Sequence, residues 1–209
     1  MSKTLTPADI VAAGKKYNVE PAAIAAVRQV ESGGPGFHPV TGKLIIQFEP
    51  RWFERFFNGY TVPNEVSNQA IEWAAFNKAW QIPGLDKASK RTAQTAAMMA
   101  TSIGAFQIMG FHFARLGFKT VGAFWDYCKI SEANQLDCLM RFIASDTPYI
   151  FAKAYGGDGK RYTLASALAA KNFNAFAYRY NGALWQGNDY GRKMSRAHTS
   201  FSAQPIYYV

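Results

Sequence analysis

The chain has 209 residues, of which 49% are apolar, and this is enough to build a hydrophobic core without a metal or a disulfide. Its net charge of +9 is unevenly distributed along the chain, because the segment after residue 158 contains seven lysines and arginines and a single acid, Asp189. Such a basic segment either attracts a polyanion, such as an anionic membrane or an acidic wall polymer, or is simply solvated. No P-loop, zinc-finger spacing or aromatic RNA-binding signature occurs, so we expect no nucleic-acid partner.

The cysteines and the N-terminus exclude further classes. Cys128 and Cys138 lie ten positions apart in helix-like sequence, and no Cys/His cluster has metal-ligand spacing, so both are predicted to be buried thiols. The first residues contain no apolar signal core, and no run approaches the ~20 apolar residues of a membrane-spanning helix. We therefore expect no metal, no cofactor and no stable membrane insertion, with synthesis in a cytoplasm and export that depends on another protein.

Helical periodicity dominates the chain. The first helix begins with Thr6 as a plausible N-cap and Pro7 at the first helical position, and the second begins with Pro21. Amphipathic stretches predict further helices over residues 66–80, 90–102, 131–145, 163–171 and 173–180. No internal repeat or low-complexity linker is present. The fold class is therefore mainly α.

One stretch, 44–49, alternates as a strand does. One side of the predicted strand carries the side chains of Leu44, Ile46 and Phe48. The opposite side carries those of Ile45, Gln47 and Glu49. Turn-forming sequence precedes it, which predicts a small β-hairpin or a single edge strand. Residues 80–91 are the best candidate for a loop between lobes, although they are too few to establish a boundary.

Glu31 is the first candidate site residue. It ends the second predicted helix, directly before two glycines, and helical spacing places it on the apolar side with Ile24 and Val27. Burial and the partial negative charge of a helix C-terminus both favour the protonated carboxyl. A protonated carboxyl is what protonation of a glycosidic oxygen requires. The residues alone support equally well a buried glutamate paired with an arginine such as Arg28.

Glu49 is the second candidate. It lies 18 positions after Glu31, at the end of the predicted strand, where Pro50 stops the pairing. This separation allows the strand to fold back across the helix end, and two facing carboxyls are the arrangement of glycoside hydrolysis. The alternative is a surface glutamate paired with Arg51.

Two other segments contain polar residues in apolar surroundings. Gln107 lies in an apolar run, where an amide without partners costs roughly 1–3 kcal/mol, and the residues alone favour a structural role over a sugar contact. Tyr180 and Asn181 end a helix, with Trp185 just beyond, and could reach a sugar in a cleft. The sequence Tyr-Asn-Gly is also an ordinary helix C-terminus.

Four blocks, taken in order, resemble a known family. Residues 25–37, 42–56, 102–118 and 172–182 are similar to bacteriophage endolysins that carry an N-acetylmuramidase domain. That domain belongs to the lysozyme-like superfamily, with goose-type lysozymes, soluble lytic transglycosylases and plant-type chitinases. The resemblance extends from about residue 8 to 198, and it depends on all four blocks, because each alone is a weak signal.

The resemblance implies a lysozyme-like helical fold with a small β-hairpin beside an active-site cleft. It also implies hydrolysis of the β-1,4 bond between N-acetylmuramic acid and N-acetylglucosamine. Glu31 matches the catalytic acid of the Glu-Ser-Gly motif, and Glu49 matches the acid of the Phe-Glu strand motif. Gln107, Tyr180 and Asn181 match residues of the two later blocks, where substrate binding is implied.

Further expectations follow from the resemblance. Ile103 stands where the family commonly has an aromatic residue, so a sugar contact is expected to be missing there. Residues 1–209 are expected to form one catalytic domain of a monomer, with a smaller lobe around 50–100 as an alternative and no separate wall-binding domain. The partner is bacterial peptidoglycan, which the protein would reach from the host cytoplasm after a separate pore protein permeabilises the membrane.

Three alternatives stay open at this point. A lytic transglycosylase would share the Glu-Ser-Gly and Tyr-Asn-Gly motifs but would need no second carboxylate at Glu49. A chitinase-like activity is possible because the superfamily acts on both polymers. A non-enzymatic wall-binding protein is the third alternative.

Overall fold

The computed structural model describes residues 3–32, 34–63, 68–182 and 185–208, and within them the chain is mainly helical, as predicted. The helices are α1 (Pro7–Tyr17), α2 (Pro21–Glu31), α3 (Pro50–Phe56), α4 (Gln69–Trp80), α5 (Ala93–Met99), α6 (Val121–Cys128), α7 (Glu132–Ala144), α8 (Leu164–Ala169), α9 (Phe173–Asn181) and α10 (Tyr190–Ser202). The strands are β1 (Ile46–Phe48), β2 (Thr101–Ile103), β3 (Ile108–Met109), β4 (Tyr149–Ile150) and β5 (Arg161–Tyr162). None of the helices in the described ranges combines the length and apolarity needed to cross a bilayer.

The chain forms two compact units. The first comprises Met1–Thr4 and Gly34–Cys138, and the second comprises Leu5–Gly33 and Leu139–Val209. The loop predicted at residues 80–91 is present between α4 and α5, and it lies inside the first unit. The expectation of a single catalytic domain over the whole chain stays a prediction.

The two N-terminal helices begin where the sequence predicts. The Thr6 hydroxyl accepts a hydrogen bond from Asp9 N, and the Asp9 carboxylate accepts one from Thr6 N at 2.8 Å, which completes a capping box. α2 starts with Pro21 at its first position. Residues 21–27 of α2 are all buried, so this helix is covered on every side and not only along one stripe. It packs against α1 and α10 and forms the centre of the second unit.

Three helices, α3, α6 and α10, were not predicted from the sequence. α3 was missed because Pro50 was interpreted as the end of a strand, whereas it occupies the first position of a helix, where its missing N–H costs nothing. The helix predicted over 90–102 is shorter, because only Ala93–Met99 are helical and the segment after them, which contains the β-branched Thr101 and Ile103, forms β2. Val66 and Ser67, predicted to be helical, lie outside the described residues.

The first unit contains a three-stranded antiparallel sheet in the order β1–β2–β3. β1 is an edge strand, which was one of the two predicted alternatives, and it is shorter than the predicted stretch 44–49. Its residues Ile46 and Phe48 face the core with exposures of 1% and 0%. The other two strands of the sheet, β2 and β3, were not predicted, since strands of three and two residues are too short to show a period. Gln47 pairs with Ser102, which in turn pairs with Met109.

Side chains of α4 bond the outer edge of β1. The Gln69 amide accepts from Ile46 N at 2.9 Å and donates to Ile46 O at 2.7 Å. The buried Glu72 carboxylate accepts from Phe48 N at 2.7 Å. These hydrogen bonds satisfy backbone N–H and C=O groups that an edge strand would otherwise leave without partners. They also fix the end of β1, immediately before Glu49.

The cysteine prediction is confirmed. Cys128 and Cys138 are both buried thiols without a disulfide, and their sulfur atoms lie 3.6 Å apart. Within the described parts of the chain, no group of three or more histidines, cysteines and acids is arranged to hold a metal ion.

Candidate active site

Glu31 is the last residue of α2, at the end of a helix whose earlier turns are buried. Its side chain is half-buried, and its Oε1 accepts a hydrogen bond of 3.0 Å from Nδ2 of Asn181, the last residue of α9. Burial raises the pKa of the Glu31 carboxyl, and the weaker effect of the Asn181 hydrogen bond lowers it. The balance favours the protonated acid.

The alternative of a buried ion pair at Glu31 finds no support. Arg28 lies one turn earlier on α2, yet in the ranges that the structure describes no lysine or arginine pairs with Glu31. A cation in contact would hold the carboxyl in its ionised form. The amide of Asn181, being neutral, orients the carboxyl and leaves both protonation states accessible.

Tyr180 lies beside the same carboxyl. Its ring stacks on Phe176 at a centroid distance of 5.5 Å and meets Phe142 edge-on at 6.1 Å. Burial raises the pKa of the Tyr180 hydroxyl, and the negative charge of Glu31 raises it further, so the phenol stays neutral. The structure therefore groups Glu31, Tyr180 and Asn181 in the second unit.

Glu49 follows β1 directly and is the N-cap residue of α3. Its N–H donates to Ala100 O at 2.9 Å, and its carbonyl accepts from Trp52 N and Phe53 N, both at 3.0 Å. Its half-buried carboxylate accepts from Gln47 Nε2 at 2.9 Å. No pairing with Arg51 occurs among the residues described.

Two effects raise the pKa of Glu49. Burial is the larger effect, and the negative charge of Glu72 adds to it, while the hydrogen bond from Gln47 acts in the opposite direction. Glu31 and Glu49 belong to different units, so the pairing of the two carboxyls over one bond stays a prediction.

Gln107 is held by its own loop. Its Oε1 accepts from the Ser102 hydroxyl at 2.8 Å, and its Nε2 donates to Gly104 O at 2.7 Å. Its backbone has a left-handed φ of 48°, which is uncommon for a residue other than glycine. These contacts support the structural role that the residues alone favoured, and the substrate contact implied by the family stays a prediction.

One face of the first-unit sheet carries the polar groups. Because residues paired across antiparallel strands point to the same side, Gln47 and Ser102 share a face. Glu49 lies two positions after Gln47 and continues that face, and the hydrogen bond from Ser102 brings Gln107 to it. Glu49 and Gln107 thus lie on the polar side, opposite the core.

Gln47, Glu72 and Ser102 were not identified from the sequence. Gln47 could have been found, since its alternation with Glu49 was visible. Glu72 was also visible in principle, because it shares the buried face of α4 with Ala75, Phe76 and Ala79. Ser102 gave no signal, because its role depends on the turn that places Gln107 beside it.

Two positions considered for sugar contacts lie in the core. Trp185 is only 7% exposed and packs edge-on against Phe151 and Tyr178, so its ring belongs to the core of the second unit and is not available to stack on a sugar. Ile103 is 2% exposed and pairs with Ile46 and Ile108 in the sheet. Its side chain faces the core, and the expectation that a sugar contact is missing there stays a prediction.

The comparisons with known proteins identify the family of the chain. The sequence model of the N-acetylmuramidase family matches residues 20–202, a range that includes all five candidate residues. The crystal structure of the endolysin of the Burkholderia phage AP3 is similar, with a TM-score of 0.75 and 33% identity over 97% of this chain and 72% of that one. No curated protein matches the chain. The chain therefore belongs to the N-acetylmuramidase family, and it is a peptidoglycan-cleaving glycoside hydrolase of the endolysin type.

Proposed function

We propose that the protein hydrolyses the β-1,4 bond between N-acetylmuramic acid and N-acetylglucosamine, with Glu31 as general acid and Glu49 as second carboxylate. The observation that supports this proposal most is the environment of the Glu31 carboxyl. It is a half-buried carboxyl with a raised pKa at the end of a helix whose earlier turns are buried, and a neutral amide is its hydrogen-bond partner. This combination suits proton donation to a leaving glycosidic oxygen.

In the first step, Glu31 gives its proton to the bridging oxygen as the bond from this oxygen to the anomeric carbon of the muramic acid breaks. The carboxylate that forms on Glu31 accepts the Asn181 hydrogen bond more strongly than the neutral acid does. Tyr180, which stays a neutral phenol, and Asn181 position the sugar. Gln107 supports the substrate from the first unit.

Glu49 acts in its ionised form, in which it activates the attacking water or stabilises the positive charge that develops on the sugar ring. Its raised pKa makes it a stronger base once ionised, and Gln47 holds one of its oxygens in place. Water adds its hydroxyl to the anomeric carbon, and its other proton goes to Glu49 if Glu49 activates the water, or to the ionised Glu31 if Glu49 only stabilises charge. The product ends in reducing N-acetylmuramic acid. A carboxyl separation of about 6.5–9.5 Å in the substrate complex would give inversion, and about 5–5.5 Å would give retention.

The biological setting completes the proposal. The whole chain acts as one catalytic domain and as a monomer, and its partner is the peptidoglycan of the host. After synthesis in the host cytoplasm it reaches the wall when a separate pore protein opens the membrane. The basic helix α10 assists its approach to anionic surfaces.

Mass spectrometry of the fragments released from purified peptidoglycan tests the choice of bond. We expect products that end in reducing N-acetylmuramic acid. Anhydro-muramic ends would instead identify a lytic transglycosylase, and Glu49 would then be a substrate-positioning residue. Release of chitin oligomers without release of wall fragments would identify a chitinase-like enzyme.

A further inference from the structure

α3 has two aromatic faces with different surroundings. Phe53 and Phe57 are buried, with exposures of 0% and 3%, and they form part of the core of the first unit. Trp52 and Phe56, also one turn apart, are half-buried on another face, and their centroids lie 5.5 Å apart. Phe111 packs on both, at 4.6 Å from Trp52 and 5.9 Å from Phe56. We call Trp52, Phe56 and Phe111 the aromatic platform.

Two arginines lie over this platform. The guanidinium carbon of Arg55 is 5.2 Å from the Trp52 centroid, and that of Arg91 is 5.8 Å from the Phe56 centroid. No aspartate or glutamate pairs with either arginine in the part of the chain that the structure describes. Contact with a ring restrains a guanidinium, while its N–H groups can still donate to an anion.

A planar anion such as a carboxylate is the ligand that a guanidinium group recognises best. A guanidinium binds a carboxylate through two parallel hydrogen bonds, and it does so more strongly when its side chain is already ordered. The half-buried rings beside it offer apolar surface, which a peptide chain can cover. The combination therefore fits a peptide that carries carboxylates, and it fits an uncharged sugar chain less well.

The platform also lies close to the proposed chemistry. Glu49 caps the helix that carries Trp52, Arg55 and Phe56. Arg55 is six residues further on, which corresponds to about 9 Å along a helix at 1.5 Å per residue. The stem peptide of peptidoglycan starts on the muramic acid, next to the bond to be cut, and about three extended residues cover that distance.

We propose that Arg55 and Arg91, held over the aromatic platform, form a subsite for the carboxylates of the peptidoglycan stem peptide. The inference rests on the proposed function, because it requires the muramic acid to be bound beside Glu49. Such a subsite makes the enzyme selective for glycan that carries peptides. Arg55 and Arg91 bind substrate and take no part in bond cleavage, so they act on KM and leave kcat unchanged.

The experiment compares two forms of one substrate. Peptidoglycan fragments are assayed before and after an amidase removes their stem peptides, with the wild type and with an R55Q/R91Q variant. Because the amidase frees the lactyl carboxylate of each muramic acid, these carboxylates are converted to neutral amides before the stripped glycan is assayed. We expect the wild type to have a KM on the order of tenfold lower for the peptide-bearing form. The variant should lose this preference, with an unchanged kcat and an unchanged KM for the stripped glycan.

A K78Q/K87Q variant is the matched control, since it removes two exposed positive charges from the same unit and should keep the preference. If R55Q/R91Q has a lowered melting temperature, R55Q alone, at an exposed position, should lose part of the preference. Equal KM values for the two substrates with the wild type would overturn the subsite. So would an equal loss on both substrates in R55Q/R91Q.

A direct titration separates this proposal from the proposed function. A soluble stem peptide should bind the wild type and K78Q/K87Q, and binding should be lost in R55Q/R91Q, whether or not the enzyme cuts the predicted bond. Absence of binding to the wild type would overturn the subsite even if the fragments end in reducing muramic acid. Peptide binding together with anhydro-muramic products would overturn the hydrolytic mechanism and support the subsite.

Discussion

The amide of Asn181 donates a hydrogen bond of 3.0 Å to the carboxyl of Glu31, across 150 residues of sequence. A lysine or arginine in the same place would stabilise the ionised carboxylate and prevent its use as an acid at neutral pH. The amide gives a smaller stabilisation, so burial keeps control of the pKa of Glu31. Helix α9 therefore orients the acid and leaves its proton available.

Replacing Asn181 with leucine should move the alkaline limb of the activity profile to higher pH. The hydrogen bond lowers the pKa of Glu31, so its loss raises that pKa, and the acid stays protonated over a wider range. The pH dependence of kcat/KM measures this shift. The exposed Asn77→Leu on α4 is the control and should leave the profile unchanged; a shift of the alkaline limb to lower pH in Asn181→Leu would contradict the assignment.

Replacing Glu72 with glutamine should move the acidic limb to lower pH. The negative charge of Glu72 raises the pKa of Glu49, so removing it lowers that pKa, and Glu49 stays ionised in more acidic solution. The glutamine oxygen can still accept from Phe48 N, which keeps β1 in place. The same kcat/KM profile is the measurement. An acidic limb that does not move would mean that Glu49 does not control it.

The Glu49→Gln variant tests the role of the second carboxylate. We expect a loss of turnover of at least about tenfold, because the amide can neither accept a proton nor stabilise positive charge as well as a carboxylate does. Fragment release from purified peptidoglycan is the assay, with the melting temperature as the control for folding. Turnover close to that of the wild type would leave Glu31 as the sole carboxyl of the mechanism.

Parts of the site were accessible from the sequence because they depend on local pattern. The helical spacing around Glu31 and the alternation around Glu49 placed both residues at the ends of the correct elements. The residues that change the pKa values of Glu31 and Glu49 are distant in the sequence. Asn181 donates a hydrogen bond to Glu31, and Glu72 raises the pKa of Glu49 from another helix. Pairing at such distances follows from tertiary packing, which periodicity does not report.

The difference between local pattern and tertiary packing also explains where the predicted fold was wrong. β2 and β3 are too short to show alternation, and their register is set by pairing, of β2 with β1 and of β3 with β2. Tryptophan suits stacking on a sugar, which made Trp185 a possible contact, but its burial depends on Phe151 and Tyr178, which come from other elements. The sequence contains no local sign of those neighbours.

Gly110→Ala should destabilise the first unit. A Cβ at Gly110 would lie 1.9 Å from the Met98 carbonyl oxygen and 2.9 Å from its carbon, and backbone atoms cannot move away cheaply. We expect a loss of about 1–3 kcal/mol in the free energy of unfolding, measured in urea. Gly122→Ala in α6 is the matched control: only the Thr120 hydroxyl oxygen, at 3.8 Å, is near, so it should stabilise by about 0.5–1 kcal/mol. Equal stability of the two variants would contradict the packing described.

Reversing the charges of Lys193 and Arg196 on α10 tests the contribution of the basic segment. Both side chains lie three residues apart on an exposed part of the helix. K193E/R196E should weaken lysis of membrane-permeabilised cells more than cleavage of soluble fragments, because only the intact surface is a large polyanion. K78E/K87E changes the net charge equally and should retain more lysis. An equal loss on cells and fragments would refute this role.

The turnover of Glu31→Gln on purified peptidoglycan tests the central claim most directly. If Glu31 is the general acid, the substitution keeps the shape of the side chain and removes the proton, so the rate of fragment release should fall by about 10²–10⁴-fold with an unchanged melting temperature. A rate within a few-fold of the wild type would show that the proton comes from another group, and the assignment of Glu31 would be wrong.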